Sequence, residues 1–329
     1  MQYLRRIERT FAAPQPVTLH VANRRGDLAV IGEDRTDIAF VAQIALDARD
    51  EPTGRARLDA VAIPVTVEGG KVSVGPPAYP ERDEHERLID DDIRAAGESF
   101  PFFSFRFGGA GIIAAARRIV NETDLRVDME LRVPRSCAVE AELRAGALRI
   151  GGVHAGVRAQ SRSGGVEIHD IAGDVSLETR SGRAEVRAIR GSVTVDSRSG
   201  RAGVAGVEGD VELESRSGRA EVRDVGGRTR VRAHAASVRI EDARGAVEVA
   251  TESGTVEFQG RVLQSISIDV KTGSVRLAVP ADSRFYLDAE SRVGSVRSDL
   301  PVGERERSTA DAPTVRVRTE TGSVRVVLL

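Results

Sequence analysis

Tryptophan is absent from this 329-residue chain, and three other residue types are nearly so: there is one Cys, there are two Met, and Lys occurs only at 71 and 271. The lone Cys137 excludes an internal disulfide and any cysteine-built metal cluster. It lies in a strand-like segment, where a small buried hydrophobe is its expected role. Aromatic residues make up only 4% of the chain, too few for a core in which large rings fill irregular space. Long apolar runs are missing too. The longest stretch of small and apolar residues, Gly108 to Ala116, is too short for a membrane-spanning helix. The opening MQYLRRIERTF lacks the apolar centre and cleavage site of a secretory signal, and neither end carries a lipidation motif. A cytoplasmic location is therefore the default expectation. No charge sign dominates either. A formal net charge of −2 excludes a general nucleic-acid binder, and 40% hydrophobic residues exclude a disordered chain.

What the chain has in quantity is glycine, 33 residues in all, and the glycines are periodic. Arg-Ser-Gly recurs at 162–164, 180–182, 198–200 and 216–218, always 18 residues apart. Gly146 precedes this phase, and Ala236 and Gly254 continue it. A second glycine follows each first one by nine residues, at 173, 191, 209, 227 and 245. Apolar residues fall two and four positions after the first glycine, as in Val166/Ile168, Ala184/Val186, Ala202/Val204, Ala220/Val222 and Val238/Ile240. They fall again at eleven and thirteen, as in Val175/Leu177, Val193/Val195, Val211/Leu213 and Val247/Val249. Alternation of period two between polar neighbours predicts short strands with one buried face, and the glycines mark their corners. No half-unit can bury its apolar face alone, whereas stacked units bury a continuous core and pair each strand with the next at ~4.8 Å. The prediction is an all-β fold, a β-solenoid of 18-residue coils with two short strands per coil.

Three regions follow. Residues 1–75 read as divergent β coils, with apolar pairs such as Leu19/Val21, Leu28/Val30 and Ile38/Phe40 separated by turn signals. Residues 76–124 break the pattern and form an insertion. Prolines lead into a charged stretch, Arg82 to Ala96, that predicts a helix, and then into a segment with Phe100, Phe102, Phe103, Phe105 and Phe107. These five phenylalanines are expected either to cap the solenoid or to form an apolar docking loop for a partner or a membrane surface. Residues 125–329 form the repeat region proper.

VTLHVANRRGDLAVIGEDRTDIAFVAQ near the start, and the run of SG-x-V-x-V and G-D-V-x-L units between 143 and 258, resemble the bacterial DUF4097 (toast-rack, adhesin-like) β-strand repeat family. The resemblance covers residues 10–75 and 125–329. It implies a β-solenoid without known catalytic residues, of a kind often associated with envelope or stress-response proteins.

Motifs of other chemistries are lacking. The corners read RSGRAEVRA rather than the glycine–aspartate pattern of calcium-binding rolls. No phosphate-binding loop, zinc-protease motif or nucleophile elbow occurs. His154, His169 and His234 fall at different places in different coils, so no metal site is expected, and no cofactor is implied. Glu185 and Glu221 share a row but stand two coils apart, with Gly203 between.

Charge is distributed more tellingly. Arg162, Arg180, Arg198 and Arg216 form a column at one corner, with Arg183, Arg201 and Arg219 beside it. Across the coil, Asp174, Glu178, Asp196, Asp210, Glu212 and Glu214 make an acidic face. These seven arginines are the candidate site for an anionic polymer. Nucleic acid fits less well, because no aromatics interleave with them for base stacking. Self-association through the charged faces, or through the edge of the C-terminal strand Val324 to Leu329, is a further expectation. Taken together, the sequence predicts a non-enzymatic scaffold that binds a protein or polyanionic partner. The alternative is a carbohydrate-active enzyme using a groove between the insertion and the solenoid.

Overall fold

Stacked parallel strands in constant register dominate the computed structural model, which describes residues 2–13, 16–47, 51–78, 125–299 and 312–329. The repeat forms its centre: β10 (Val157–Ile171), β11 (Val175–Ile189), β12 (Val193–Ser197), β13 (Arg201–Val207), β14 (Val211–Val225), β15 (Thr229–Ala243) and β16 (Val247–Gln259). Each residue pairs with the one 18 positions on, as Val157 with Val175 and Ile168 with Val186. The inward residues at both apolar pairs are buried, Val175, Leu177, Ala184 and Val186 among them, and they belong to one continuous core. The predicted β-solenoid is the observed fold. In most coils the two short strands merge into a single bent strand, because ladder pairing continues through the glycine corner, as at Gly164 and Gly182.

Across that corner the inward set changes parity. Thr179 is buried and Arg180 exposed before it, and Ala184 is buried and Arg183 exposed after it. Every coil thus has two arms that face a common core. Seven successive coils place residues with left-handed backbone six positions after the corner: Gly152, Asp170, Ala188, Gly206, Asp224, Asp242 and Gly260. The mixture of Asp and Ala with Gly hid this column from the sequence reading.

The ends are built differently. At the N-terminal end, β2 (Thr18–Arg25) and β3 (Leu28–Glu33) stack on β8 (Ala138–Ala145) and β9 (Leu148–Val153). On their other side lie β6 (Lys71–Val74) and β7 (Leu125–Pro134). Beyond these, β5 (Val65–Glu68) closes one arm as a hairpin with β6. On the other arm, β4 (Asp37–Asp47) and β1 (Gln2–Ala12) continue in antiparallel order from β7. A helix that the strand pattern did not predict, α1 (Glu51–Asp59), contacts β1 and β4. Its pattern is weak because Leu58 is its only buried large apolar residue. The Arg5 guanidinium donates to the carbonyls of Leu58 and Asp59, each at 3.1 Å, and so satisfies its C-terminal end.

At the far end, β17 (Ile266–Val279) pairs with β19 (Thr314–Leu328), and β19 pairs in turn with β18 (Tyr286–Ser298). The last strand of the chain is therefore inside the stack, held on both sides. The expectation that Val324 to Leu329 forms a free edge is corrected: among the described strands, the outermost is β18. Local patterning is the same for either order, since Gly273, Gly322 and Gly294 align in one column. The segment with Phe100, Phe102, Phe103, Phe105 and Phe107 lies outside the described residues, as does the groove proposed for an enzyme.

Candidate functional site

The three residues of the Arg-Ser-Gly corner have separable roles. Each serine hydroxyl donates to the carbonyl of the arginine one coil earlier: Ser181 to Arg162 at 3.2 Å, Ser199 to Arg180 at 3.0 Å, and Ser217 to Arg198 at 3.3 Å. Each glycine has left-handed backbone and lies against its predecessor. At Gly182, with φ of 119°, a Cβ would fall 2.0 Å from the Gly164 carbonyl oxygen. Serine and glycine thus hold coil to coil. The arginine contributes its backbone carbonyl to the serine bonds, but its side chain holds no described residue. Arg162, Arg180, Arg198 and Arg216 are exposed, and none makes an ion pair or side-chain hydrogen bond with a described residue.

The register extends this column beyond the motif. Arg25 pairs with Ala145 and Ser163 with Ala145, which puts Arg24 and Arg144 in line with Arg162. Both are exposed and likewise unpaired. Six arginines therefore occupy six consecutive coils, a row about 24 Å long at strand spacing. Sequence reasoning missed the first two, although Arg24-Arg-Gly26 and Arg144-Ala-Gly146 keep the same arginine-to-glycine spacing. A groove of about 460 Å³ runs beside the row, bordered by Arg144, Arg162, Arg180 and Arg198 on one wall and by Glu142, Gln160, Glu178 and Asp196 on the other. The row ends where its partners change: the next position is His234, which faces Glu252 at 2.5 Å. On the opposite wall Arg232 appears, bound to Glu212 at 2.9 Å and Glu214 at 2.8 Å.

Arg183, Arg201 and Arg219, on the other side of the corner, are in a different situation. Arg201 meets Glu221 at 2.6 Å, and Arg219 and Arg223 approach the same carboxylate at 3.7 Å. Arg183 lies 3.7 Å from Glu185, and Arg187 pairs with Glu167. Glu221 is 8% exposed. Burial pushes its carboxyl up, but hydrogen bonding to Arg201 and the charges of Arg201, Arg223 and Arg219 outweigh that and hold it below the ordinary carboxylate range. Its row partner Glu185 is two coils away across Gly203. An ionised carboxylate held by three guanidiniums has no proton to donate as a general acid. Much of the acidic face is structural as well. Asp174 accepts the backbone N–H of Ser192 at 2.8 Å, and Asp210 that of Arg228 at 2.7 Å.

Cys137 is fully buried, and burial pushes its thiol up to about 11, so it is protonated and inert at neutral pH. Among the described residues no three His, Cys, Asp or Glu side chains converge to hold a metal ion, and no helix is long and apolar enough to cross a membrane.

Two solved structures align over nearly all of the chain. One is of a candidate cell adhesion protein from Clostridium sporogenes, 8% identical, with 99% of this chain and 100% of that one covered at a TM-score of 0.22. The other is of a candidate adhesin from Bacteroides fragilis, 12% identical, with 99% and 97% covered at a TM-score of 0.32. At such scores the superpositions are loose. No protein of curated function matches the chain significantly. The family model for Toastrack DUF4097 does match, over residues 125–326, which take in every strand from β7 through β18 and nearly all of β19. By that match the chain belongs to the Toastrack DUF4097 family.

Proposed function

We propose that this toast-rack solenoid is a non-enzymatic binding module that holds a linear anionic glycopolymer along the row Arg24, Arg144, Arg162, Arg180, Arg198 and Arg216. One observation carries the reading. In a corner where the serine side chain and the glycine backbone each have a structural task, the arginine side chain has none among the described residues, yet it recurs coil after coil. Like charges stacked ~4.8 Å apart repel, so the row costs the folded state free energy that no ion pair with a described residue returns. Guanidiniums in a line supply paired donors to successive carboxylate, sulfate or phosphate groups of an extended polymer. The carboxylates of Glu142, Glu178 and Asp196 border one side of the row, so a polyanion is steered onto the arginines from the corner side. The row contains no aromatic side chain for base stacking, which favours a glycan over a single-stranded nucleic acid.

The test is retention on an immobilised sulfated polysaccharide. The parent chain should bind and elute with salt, and Arg180→Ser/Arg198→Ser/Arg216→Ser should pass through at low salt while melting at the parent temperature. Unchanged retention of the folded triple variant would remove the proposal.

A further inference from the structure

The outermost strand β18 presents a second kind of surface. One of its edges is bonded to β19, and no described strand covers the other. Apolar side chains lie along it: Tyr286 is 57% exposed, Val293 60% and Val296 43%, with Leu287 and Ala289 only partly buried. The counterparts of Leu287, Ala289 and Val296 one coil inward, Val315, Val317 and Val324, are all buried, whereas Tyr286 and Val293 pair with Thr314 and Thr321, which are not. Among the described residues, the core is thus least covered at this end. Unpaired edges of this kind recruit further strands.

The geometry points to a second copy of this chain as the occupant, joined tail to tail by antiparallel pairing of β18 with its own equivalent. The inward residues of β18 are Leu287 and Ala289 before the corner, and Val296 and Ser298 after it, as their buried partners on β19 show. Before the corner they carry odd numbers and after it even ones. Inward residues, Ser291 among them, oppose one another in any antiparallel self-pairing whose paired numbers have an odd sum. Of the two such registers that lay corner on corner, a sum of 587 would set Asp288 against Asp299, whereas a sum of 585 opposes no like charges. It sets Ala289 against Val296 and Leu287 against Ser298 on the inward side. On the outward side it sets Asp288 against Arg297, a pair of opposite charges formed twice across the two-fold axis. Directly opposed side chains in an antiparallel pair lie close enough for both contacts. Such an interface is isologous and closes on itself, so it yields a dimer and not a fibre.

Head-to-tail stacking is disfavoured by the other end. There the outermost strand β1 runs antiparallel to β4, carries Arg5, Arg6, Glu8 and Arg9, and has α1 beside it. The inference is independent of the arginine row, which lies several coils away, and of whether that row binds a polymer.

Sedimentation of the full chain over a range of concentrations tests it. A monomer–dimer equilibrium that persists in high salt is expected, because backbone pairing and apolar contact carry the contact. Asp288→Arg should weaken the dimer at least tenfold by opposing Arg297, and Asp288→Arg/Arg297→Asp should restore it. Because Asp288 also lies 3.4 Å from Arg316, Arg316→Gln is the companion variant and should leave the dimer intact. A chain that stays monomeric up to its solubility limit overturns the proposal, as does open-ended assembly, a dimer that dissolves in salt, or failure of the double variant to rescue.

Discussion

Two rows of arginines flank the same glycine corner and behave in opposite ways. On one side, Arg201, Arg219 and Arg223 converge on Glu221, and Arg183 has Glu185 within reach. On the other side, Arg162, Arg180, Arg198 and Arg216 face outward, and none forms an ion pair with a described residue. Composition, spacing and strand register are the same for both. Both rows have carboxylates two positions away on the same strand face, Glu185 and Glu221 for one and Glu178, Asp196 and Glu214 for the other. The difference is that the first set reaches its arginines, whereas the second makes no ion pair with them and Glu214 is bound by Arg232 instead. Charge in a repeat therefore cannot be assigned by counting residues per face. It depends on which columns alternate in sign at hydrogen-bond distance.

The largest expected effect breaks the corner that both rows share. Gly200→Ala puts a Cβ 2.0 Å from the Gly182 carbonyl oxygen at a φ of 112°, and should cost about 3–5 kcal/mol by chemical denaturation. A cost under about 1 kcal/mol would show that coils can move apart and that the register argument for both rows is too rigid.

Next comes the paired row. Glu221→Gln removes the negative charge that three guanidiniums share and turns an NH2 donor toward them, and should cost about 1–3 kcal/mol at neutral pH. Because the folded carboxyl lies below its usual value of 4.5, its stabilisation is complete above that value and is lost as pH falls through the lower folded one. The parent's advantage over Glu221→Gln should therefore be constant from pH 8 to about 5 and shrink below about pH 4.5. An advantage that grows on acidification would contradict the ion-pair account.

A smaller effect tests the backbone between the rows and the second corner. Ala188 stands in the left-handed region at φ 55°, in a column otherwise filled by Gly and Asp. Ala188→Gly should raise stability by about 0.5–1 kcal/mol, read as a higher denaturation midpoint with unchanged slope. The smallest effect is predicted for the unpaired row. Removing Arg180, Arg198 and Arg216 together should leave stability the same or raise it by a few tenths of a kcal/mol. A clear loss would give those side chains a structural task and weaken the case that they serve a ligand.

The central stack was legible in the sequence because one rule repeats there. An 18-residue register, a glycine at the corner and two alternating pairs define each coil, and Val157↔Val175 pairing follows from them. The ends were not legible, because stacking order there departs from chain order. Patterning places Gly294 and Gly322 at corners but is indifferent to which coil lies inside, so β19 looked like the edge that β18 in fact forms. The helix α1 was hidden for another reason: one buried leucine makes no visible helical period. In the site, the arginine column was readable from the motif. The division between free and engaged arginines was not, since it turns on the reach of Glu221 and Glu185 across neighbouring coils.

The central claim is that the unpaired row, and not the paired one, meets the ligand. It is tested most directly by titrating a soluble sulfated polysaccharide into two folded triple variants side by side. Arg180→Ser/Arg198→Ser/Arg216→Ser should lose binding at least tenfold and flatten its dependence on salt, whereas Arg183→Ser/Arg201→Ser/Arg219→Ser should lose stability yet bind within about threefold of the parent wherever it remains folded. Equal losses in the two variants, or a greater loss in the second, would contradict the account.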